Sequence, residues 1–185
     1  MSDKNYKSYE FLGNQVIEHF TLEPDSPLDY DDVMKVYMCN NCLFRDGDVD
    51  GGREDCIDVG RESSNNIFRE LRLNPNGSYV FTIKGGSHNN YFENIMLHGH
   101  GKVVDIEVGN WSTYNYDLST NTLFDGIYAL DERPITYCYR LGCKVRFAPN
   151  CKVKNLWWRS IGLTFYWWFK YVKHVVFKMH DNMGK

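Results

Sequence analysis

A pair of residues recurs along this chain at a nearly constant interval, an Asn followed three positions later by a Phe. It occurs at Asn41/Phe44, Asn65/Phe68, Asn89/Phe92 and Asn121/Phe124. The first two intervals are equal, and the third is longer by eight positions, which fall in the polar stretch 112–119. A fixed period of about 24 residues is typical of repeat architectures, in which each unit buries its apolar face against the next one.

Between these pairs, apolar and polar residues alternate, as in residues 81–83 and 104–108. This period of two predicts short strands, and the Asn, Gly and Ser residues between them predict turns. A chain that winds once per repeat stacks its coils about 4.8 Å apart, so Asn amides can form a hydrogen-bonded ladder and Phe rings can stack inside. We therefore predict an all-β solenoid with an Asn ladder and a Phe column at the eight residues given above.

The coils DCIDVGRESSNNIF, FTIKGGSHNNYF and VVDIEVGNWS, together with the two columns, resemble the right-handed parallel β-helices of the pectin-lyase-like superfamily. The resemblance covers residues 33–155 and implies a right-handed parallel β-helix of about five coils. That superfamily contains polysaccharide lyases and hydrolases, phage tailspikes and other virion proteins. A polymer-binding, structural or virion role is therefore an expectation by analogy.

Short solenoids need capped ends, and both ends of the chain have suitable patterns. Residues 1–32 are predicted to form an N-terminal cap, with a short helix within residues 5–22 that carries Phe11, Val16, Ile17 and Phe20 on its apolar face. Residues 156–185 are predicted to form an aromatic and basic C-terminal cap of the same domain. Apolar residues recur there at helical spacing, while residues 164–168 have high β propensity, so we expect a strand followed by a helix.

Composition narrows the class of protein. With 43% hydrophobic residues the chain is not predicted to be disordered. The polar N-terminus has no apolar stretch of a secretory signal and no membrane-spanning segment is evident, which favours a cytoplasmic or virion-associated protein. The six Cys are interpreted as reduced thiols, and Cys39 and Cys42, despite their CxxC spacing, as residues facing into a narrow coil.

Charge is distributed unevenly along the chain. Residues 1–62 contain 15 Asp or Glu and 6 Lys or Arg, whereas residues 133–185 contain 1 acidic and 11 basic residues. The basic end is suited to an anionic partner, although a solvated surface accounts for the same pattern.

The segment 156–178 contains four of the five Trp, four basic residues and no acid. It predicts a hydrophobic cap, an oligomer interface or a membrane-surface helix. Nucleic-acid binding is not favoured, because no recognised module is present. The candidate contact residues of this segment are Trp157, Trp158, Trp167, Trp168, Lys170 and Lys173.

The acidic sequence DGDVDG at residues 46–51 is similar to the first half of an EF-hand calcium loop. The candidate ligands are Asp46, Asp48, Asp50, Asp55 and Asp58. The twelfth loop position, normally Glu, is Ile57, and no helical pattern flanks the segment. Two interpretations of this segment are kept, a calcium-binding site and an acidic coil corner without metal.

Two further patterns bear on enzymatic activity. The segment His98-Gly99-His100-Gly101 contains a GHG sequence similar to that of polygalacturonase-like hydrolases, but the spacing from Asp55 and the absence of the other motifs disfavour that reaction. A column of outward-facing polar residues near Lys84 and Lys102 is a candidate binding site, or the centre of a calcium-assisted lyase. The residues predicted to stack in it are Asp58, Thr82, Asp105 and Glu107.

The chain is thus predicted to be a non-enzymatic structural or glycan-binding β-helix module, with a glycan or another anionic polymer as its partner. The alternatives are a calcium-assisted polysaccharide-active enzyme and a peripheral membrane protein that docks through its C-terminal segment. Homo-oligomers or a larger assembly through the C-terminal cap are further expectations.

Overall fold

The computed structural model describes residues 7–23, 32–51, 54–75, 79–98, 105–110, 118–119, 121–130 and 134–183. Its elements within these ranges are short strands followed by one long helix. In chain order they are β1 Lys7–Glu10, β2 Val16–Glu18, β3 Thr21–Leu22, β4 Met34–Tyr37, β5 Leu43–Asp50, β6 Asp55–Gly60, β7 Ile67–Asn74, β8 Tyr79–Lys84, β9 Tyr91–Leu97, β10 Asp105–Asn110, β11 Thr122–Ala129, β12 Ile135–Tyr139, β13 Val145–Phe147, β14 Val153–Asn155 and α1 Trp157–Met183.

The strands form two parallel sheets that confirm the predicted solenoid. The first sheet has the order β1-β4-β6-β8-β10-β12-β14, and the second has the order β13-β11-β9-β7-β5-β2, with β3 also paired to β5. From β4 to β14, successive strands of the chain alternate between the sheets, so each coil contributes one strand to each sheet. The solenoid has about four turns, which correspond to the coils β4–β5, β6–β7, β8–β9 and β10–β11, and the shorter strands extend it at both ends.

Aromatic rings fill the interior in the register that the repeat predicts. Phe44 pairs with Phe68, Phe68 with Phe92 and Phe92 with Phe124. Their rings are fully buried and stacked, with centroids 4.7 to 5.0 Å apart. Phe147 continues the stack at 5.0 Å from Phe124. Because each ring packs between two others, the column forms a continuous core along the solenoid axis.

The Asn residues of the repeat occupy one corner of each coil. Asn41, Asn65, Asn89 and Asn121 all have φ between 56° and 59°, a left-handed conformation that Asn adopts more readily than most residues. The Asn121 amide donates to Asn89 Oδ1 at 2.9 Å, and the Asn89 amide donates to Asn65 Oδ1 at 3.1 Å. These side chains are exposed, so this ladder lies on the outside of the corner.

A second, buried ladder lies one residue further along the chain. Asn66 Oδ1 accepts from the Cys42 N–H at 3.0 Å, and Asn90 Oδ1 accepts from the Asn66 N–H at 3.1 Å. The side-chain amides of Asn66 and Asn90 donate to the carbonyls of Cys39 and Ser63 at 2.9 Å. Backbone groups that a tight corner cannot pair with strands are satisfied in this way.

The structure corrects two predictions at the ends of the chain. No helix occurs in the described part of residues 5–22; β1, β2 and β3 lie there and pair with β4 and β5. This segment is an additional coil, in which Asn14 has a φ of 55° and Ile17 pairs with Phe44. At the other end, residues 164–168 are helical, and the strand β14 ends before them. The spacing of the apolar residues therefore outweighs their β propensity.

Candidate functional site

The predicted binding column lies on the first sheet, where Asp58, Thr82 and Glu107 are buried. Asp58 pairs with Thr82, and Thr82 pairs with Glu107. Asp105 lies two residues before Glu107 and pairs with Thr136 instead. Asp58 is 0% exposed and Glu107 5% exposed, so a polymer that runs along this face would not reach them. Lys102 and His100 lie outside the described residues.

Asp58 is the centre of a compact cluster of charges. Its Oδ2 accepts hydrogen bonds from the Tyr37 hydroxyl and from Lys84 Nζ, the latter at 2.6 Å. Its Oδ1 is buried without a hydrogen-bond partner. The carboxylates of Asp58, Asp32 and Asp55 raise the pKa of Lys84 despite the opposing effect of burial. A protonated, partly buried ammonium beside Asp58 compensates much of the cost of burying that carboxylate.

The neighbouring carboxyl groups of Asp32 and Asp55 are held in an environment that favours their protonated forms. Burial, followed by the charge of Asp58, raises the pKa of Asp32 to about 7. Burial and the charges of Asp32 and Asp58 also raise the pKa of Asp55. The Asp55 N–H donates to Asp32 Oδ1 at 3.2 Å, which ties the two segments together. This cluster can hold protons near neutral pH, but it is closed to a large ligand.

The five candidate calcium ligands are not brought together as a loop. Asp46, Asp48 and Asp50 belong to β5 in the second sheet, whereas Asp55 and Asp58 belong to β6 in the first sheet. Asp48 is paired with Arg72 at 2.6 Å, and β5 continues past the bend at Asp46 and pairs with β7 up to Asp50. Its aspartates therefore lie along a strand instead of around a cation.

An exposed groove of about 650 Å³ lies on the outer face of the second sheet. One side is a column of bend residues with φ between 52° and 54°. These are His19, Asp46, Glu70 and Asn94. The other side is the register column Arg72, Met96 and Tyr128, and Leu71 also contributes to the lining. Since β-strands stack about 4.8 Å apart, the groove extends about 19 Å along the solenoid axis.

The bends explain why the groove exists. A left-handed residue in the middle of each strand β5, β7 and β9 changes the strand direction, so the sheet is creased along one line. In β11 this position is Gly126, with a φ of 69°, and a side chain there would approach Asn94 Oδ1 to 2.8 Å. The crease therefore continues to β11, where Tyr128 is 42% exposed.

Arg72 is the fixed donor of the groove. Its Nε and Nη2 donate to the two carboxylate oxygens of Asp48 at 2.6 and 2.7 Å, a fork that sets the plane of the guanidinium. The remaining guanidinium N–H groups can reach a ligand, because the side chain is 61% exposed. Asp46 Oδ2 lies 3.9 Å from Arg45 Nε, but Arg45 is shared with Glu18. With Arg72 balanced by Asp48, the carboxylates of Asp46 and Glu70 therefore leave the groove with a net negative charge.

One group of potential metal ligands was found among the described residues. Ligand atoms of Glu18, His19 and Asp46 all lie within 4.8 Å of one another, and all three side chains are exposed. The Glu18 carboxylate already pairs with Arg45 at 2.5 Å. A cation would therefore compete with a guanidinium for this carboxylate.

The predicted contact residues of the C-terminal segment all lie on α1, but they do not share one face. Trp158 and Trp168 are 83% and 60% exposed, whereas Trp167 is 8% exposed. Trp157, Lys170 and Lys173 are exposed as well. In the described ranges of the chain, no helix has the length and apolar character needed to cross a bilayer.

Comparisons with protein-family models, with curated proteins and with solved structures found no match to this chain. The function is therefore inferred from the geometry of the solenoid and its exposed surfaces.

The groove itself was not predicted from the sequence. Its bend residues are a His, an Asp, a Glu and an Asn, which share no simple pattern. The available signal was their spacing, because Asp46, Glu70 and Asn94 follow one another at the interval of the repeat, each five positions after a repeat Asn.

Proposed function

We propose that this protein is a non-enzymatic β-solenoid module that binds an extended, neutral glycan in the groove of its second sheet. The observation that supports this most directly is the groove itself. It crosses several coils, and it presents a carboxylate, an amide or an imidazole at each step of about 4.8 Å. A ligand with regularly spaced hydroxyl groups matches such a row of donors and acceptors.

The composition of the lining also suits a carbohydrate. Tyr128 offers an aromatic face and a hydroxyl at one end, and Met96 lies beside it in register. Binding sites for small ligands combine apolar and aromatic surface with a few fixed polar groups. Arg72, held by Asp48, is such a fixed group.

The charge of the groove distinguishes neutral from anionic polymers. Asp46 and Glu70 line it, and the Arg that lines it is already neutralised by Asp48. A polyanion would therefore be repelled at this surface, and we favour a neutral glycan over an anionic one. The likeness to pectin-lyase-like β-helices, whose members act on polysaccharides or attach virions to surfaces, is part of this proposal as an analogy.

Titration calorimetry with soluble hexasaccharides tests the proposal. Neutral β-glucan hexamers are expected to bind, and a polygalacturonate hexamer is not. Tyr128→Ala and Arg72→Gln are each expected to weaken binding by about tenfold, the equivalent of about 1.4 kcal/mol. Tyr166→Ala, on α1, and Arg69→Gln, outside the groove, are the matched controls.

Three results would contradict the proposal. Binding of the polyanion alone would reverse the charge argument, and equal losses in the control variants would place the ligand elsewhere. Release of new reducing or unsaturated ends from the glycan would show a polysaccharide-active enzyme instead.

A further inference from the structure

The helix α1 is attached to the solenoid along one side of its first turns. The Tyr139 N–H donates to Ser160 Oγ at 3.2 Å, and the Leu141 N–H donates to Thr164 Oγ1 at 2.8 Å. Ser160 is fully buried, and Trp167 is nearly so. Ser160, Thr164 and Trp167 are spaced four and three positions apart, so they lie on the side of the helix that faces the solenoid.

Another face of α1 is apolar and largely open to solvent. At 3.6 residues per turn, ten apolar residues fall within an arc of about 120° that contains no charged residue. Trp158 is 83% exposed, Phe165 67% and Phe169 65%. A contiguous apolar patch of this kind marks an interaction surface. Its residues are Trp157, Trp158, Ile161, Phe165, Trp168, Phe169, Val172, Val175, Val176 and Met179.

Basic residues flank this face. At 100° per residue, Lys173 lies about 40° beyond one border of the arc and Lys178 about 60° beyond the other, while Lys170 lies about 100° beyond the first border. The first acidic residue of α1 is Asp181. Lys170 Nζ lies 5.5 Å from the centroid of the Tyr166 ring, and Lys173 Nζ lies 5.7 Å from that of Phe177. These contacts hold both ammonium groups beside aromatic rings that lie outside the apolar arc.

We propose that α1 docks the protein on the surface of an anionic lipid bilayer, with the helix lying in the plane of the interface. A helix with Trp and Phe on one face and Lys on both flanks suits this position, where rings enter the acyl boundary and ammonium groups meet lipid phosphates. A second copy of α1 fits less well. Packing two such faces together brings the flanking Lys173 and Lys178 of each copy towards the other helix, and α1 has no acidic residue before Asp181 to pair with them.

This inference stands apart from the glycan proposal, because the groove and α1 share no residue. Co-sedimentation of the full chain with vesicles tests it. Vesicles of phosphatidylcholine and phosphatidylserine in a seven-to-three ratio are expected to bind the protein, with a blue shift of Trp fluorescence. Vesicles of pure phosphatidylcholine are expected to bind it at least tenfold more weakly.

Two double variants separate the apolar and electrostatic contributions. Phe165→Gln/Trp168→Gln removes two exposed rings, and at least a tenfold loss of vesicle binding is expected. Lys173→Gln/Lys178→Gln removes the two flanking charges and is expected to lower binding to anionic vesicles about 25-fold, since each Lys near such a surface contributes about fivefold. Leu130→Gln, at an apolar site that is 62% exposed and outside α1, is expected to bind like the wild type.

The proposal would be overturned by an absence of binding, by equal binding to neutral and anionic vesicles, or by unchanged binding of either double variant. Light scattering provides a further check. A lipid-free dimer that Phe165→Gln/Trp168→Gln dissociates would assign the face to a second copy of the chain. Circular dichroism confirms that each variant still folds.

Discussion

Replacing Phe92 by Ala should remove the centre of the aromatic column. Phe92 is fully buried, and its ring lies 4.7 Å from that of Phe68, 4.8 Å from that of Phe124 and 4.6 Å from that of Phe81. A buried Phe→Ala change costs about 3–5 kcal/mol, from lost transfer energy and from the cavity that remains. Because the Phe92 ring contacts three other rings and is held between two coils, we expect a loss in the upper half of this range, about 4–5 kcal/mol.

Urea unfolding followed by circular dichroism measures this loss as a change in the free energy of unfolding. The usual stability of a domain is about 5–15 kcal/mol, so Phe92→Ala removes a large share of it. Phe92→Leu provides a milder companion with an expected loss of about 1–2 kcal/mol. Phe165→Ala, on the exposed face of α1, is the control and should change stability by less than about 0.5 kcal/mol. A Phe92→Ala loss as small as that of the control would refute the stacked core.

Two other predictions concern polar groups. The pKa of Asp32 is about 7 in the folded protein against 3.8 normally, so Asp32 contributes stability that is fully present below about pH 4 and is lost as the pH rises to about 7. Asp32→Asn should remove this pH-dependent loss, which amounts to at most about 1.4 kcal/mol per pH unit. Equal urea midpoints of the two proteins at both pH 5 and pH 8 would contradict this prediction. Asn66→Ala leaves the Cys42 N–H and the Cys39 carbonyl without their side-chain partners and should cost about 2–3 kcal/mol in urea unfolding. Asn65→Gly, which keeps the left-handed corner, should cost less than about 1 kcal/mol, and equal losses would show that the buried ladder has no special role.

The repeat was sufficient to predict the solenoid because stacking requires like residues at like positions. Phe44, Phe68, Phe92 and Phe124 occupy equivalent sites in successive coils, so the sequence period is also the structural period. The first coil was missed because Ile17 stands where later coils have Phe, and because its corner residue Asn14 precedes Asn41 by more than the usual interval. A search for any apolar residue three positions after Asn would have included it.

Features that depend on other segments could not be predicted from alternation alone. Asp58 occupies an outward strand position, yet Tyr37 and Lys84 from neighbouring coils contact its carboxylate, and it is fully buried. The groove depends on left-handed bends at residues such as Glu70, which has no intrinsic preference for that conformation. Stacking on the coils above and below imposes the bend there.

The in-register stacking of coils can be tested most directly by disulfide cross-linking. Arg69 and Glu93 are partners on adjacent strands, about 4.8 Å apart, whereas Arg45 and Glu93 are separated by two strand spacings, about 9.6 Å. A disulfide requires Cα atoms about 4.4–6.8 Å apart. Mild oxidation should therefore cross-link Arg69→Cys/Glu93→Cys readily, and Arg45→Cys/Glu93→Cys scarcely at all. Equal cross-linking of the two pairs, or a preference for the second, would contradict a chain that returns to the same column once in every repeat.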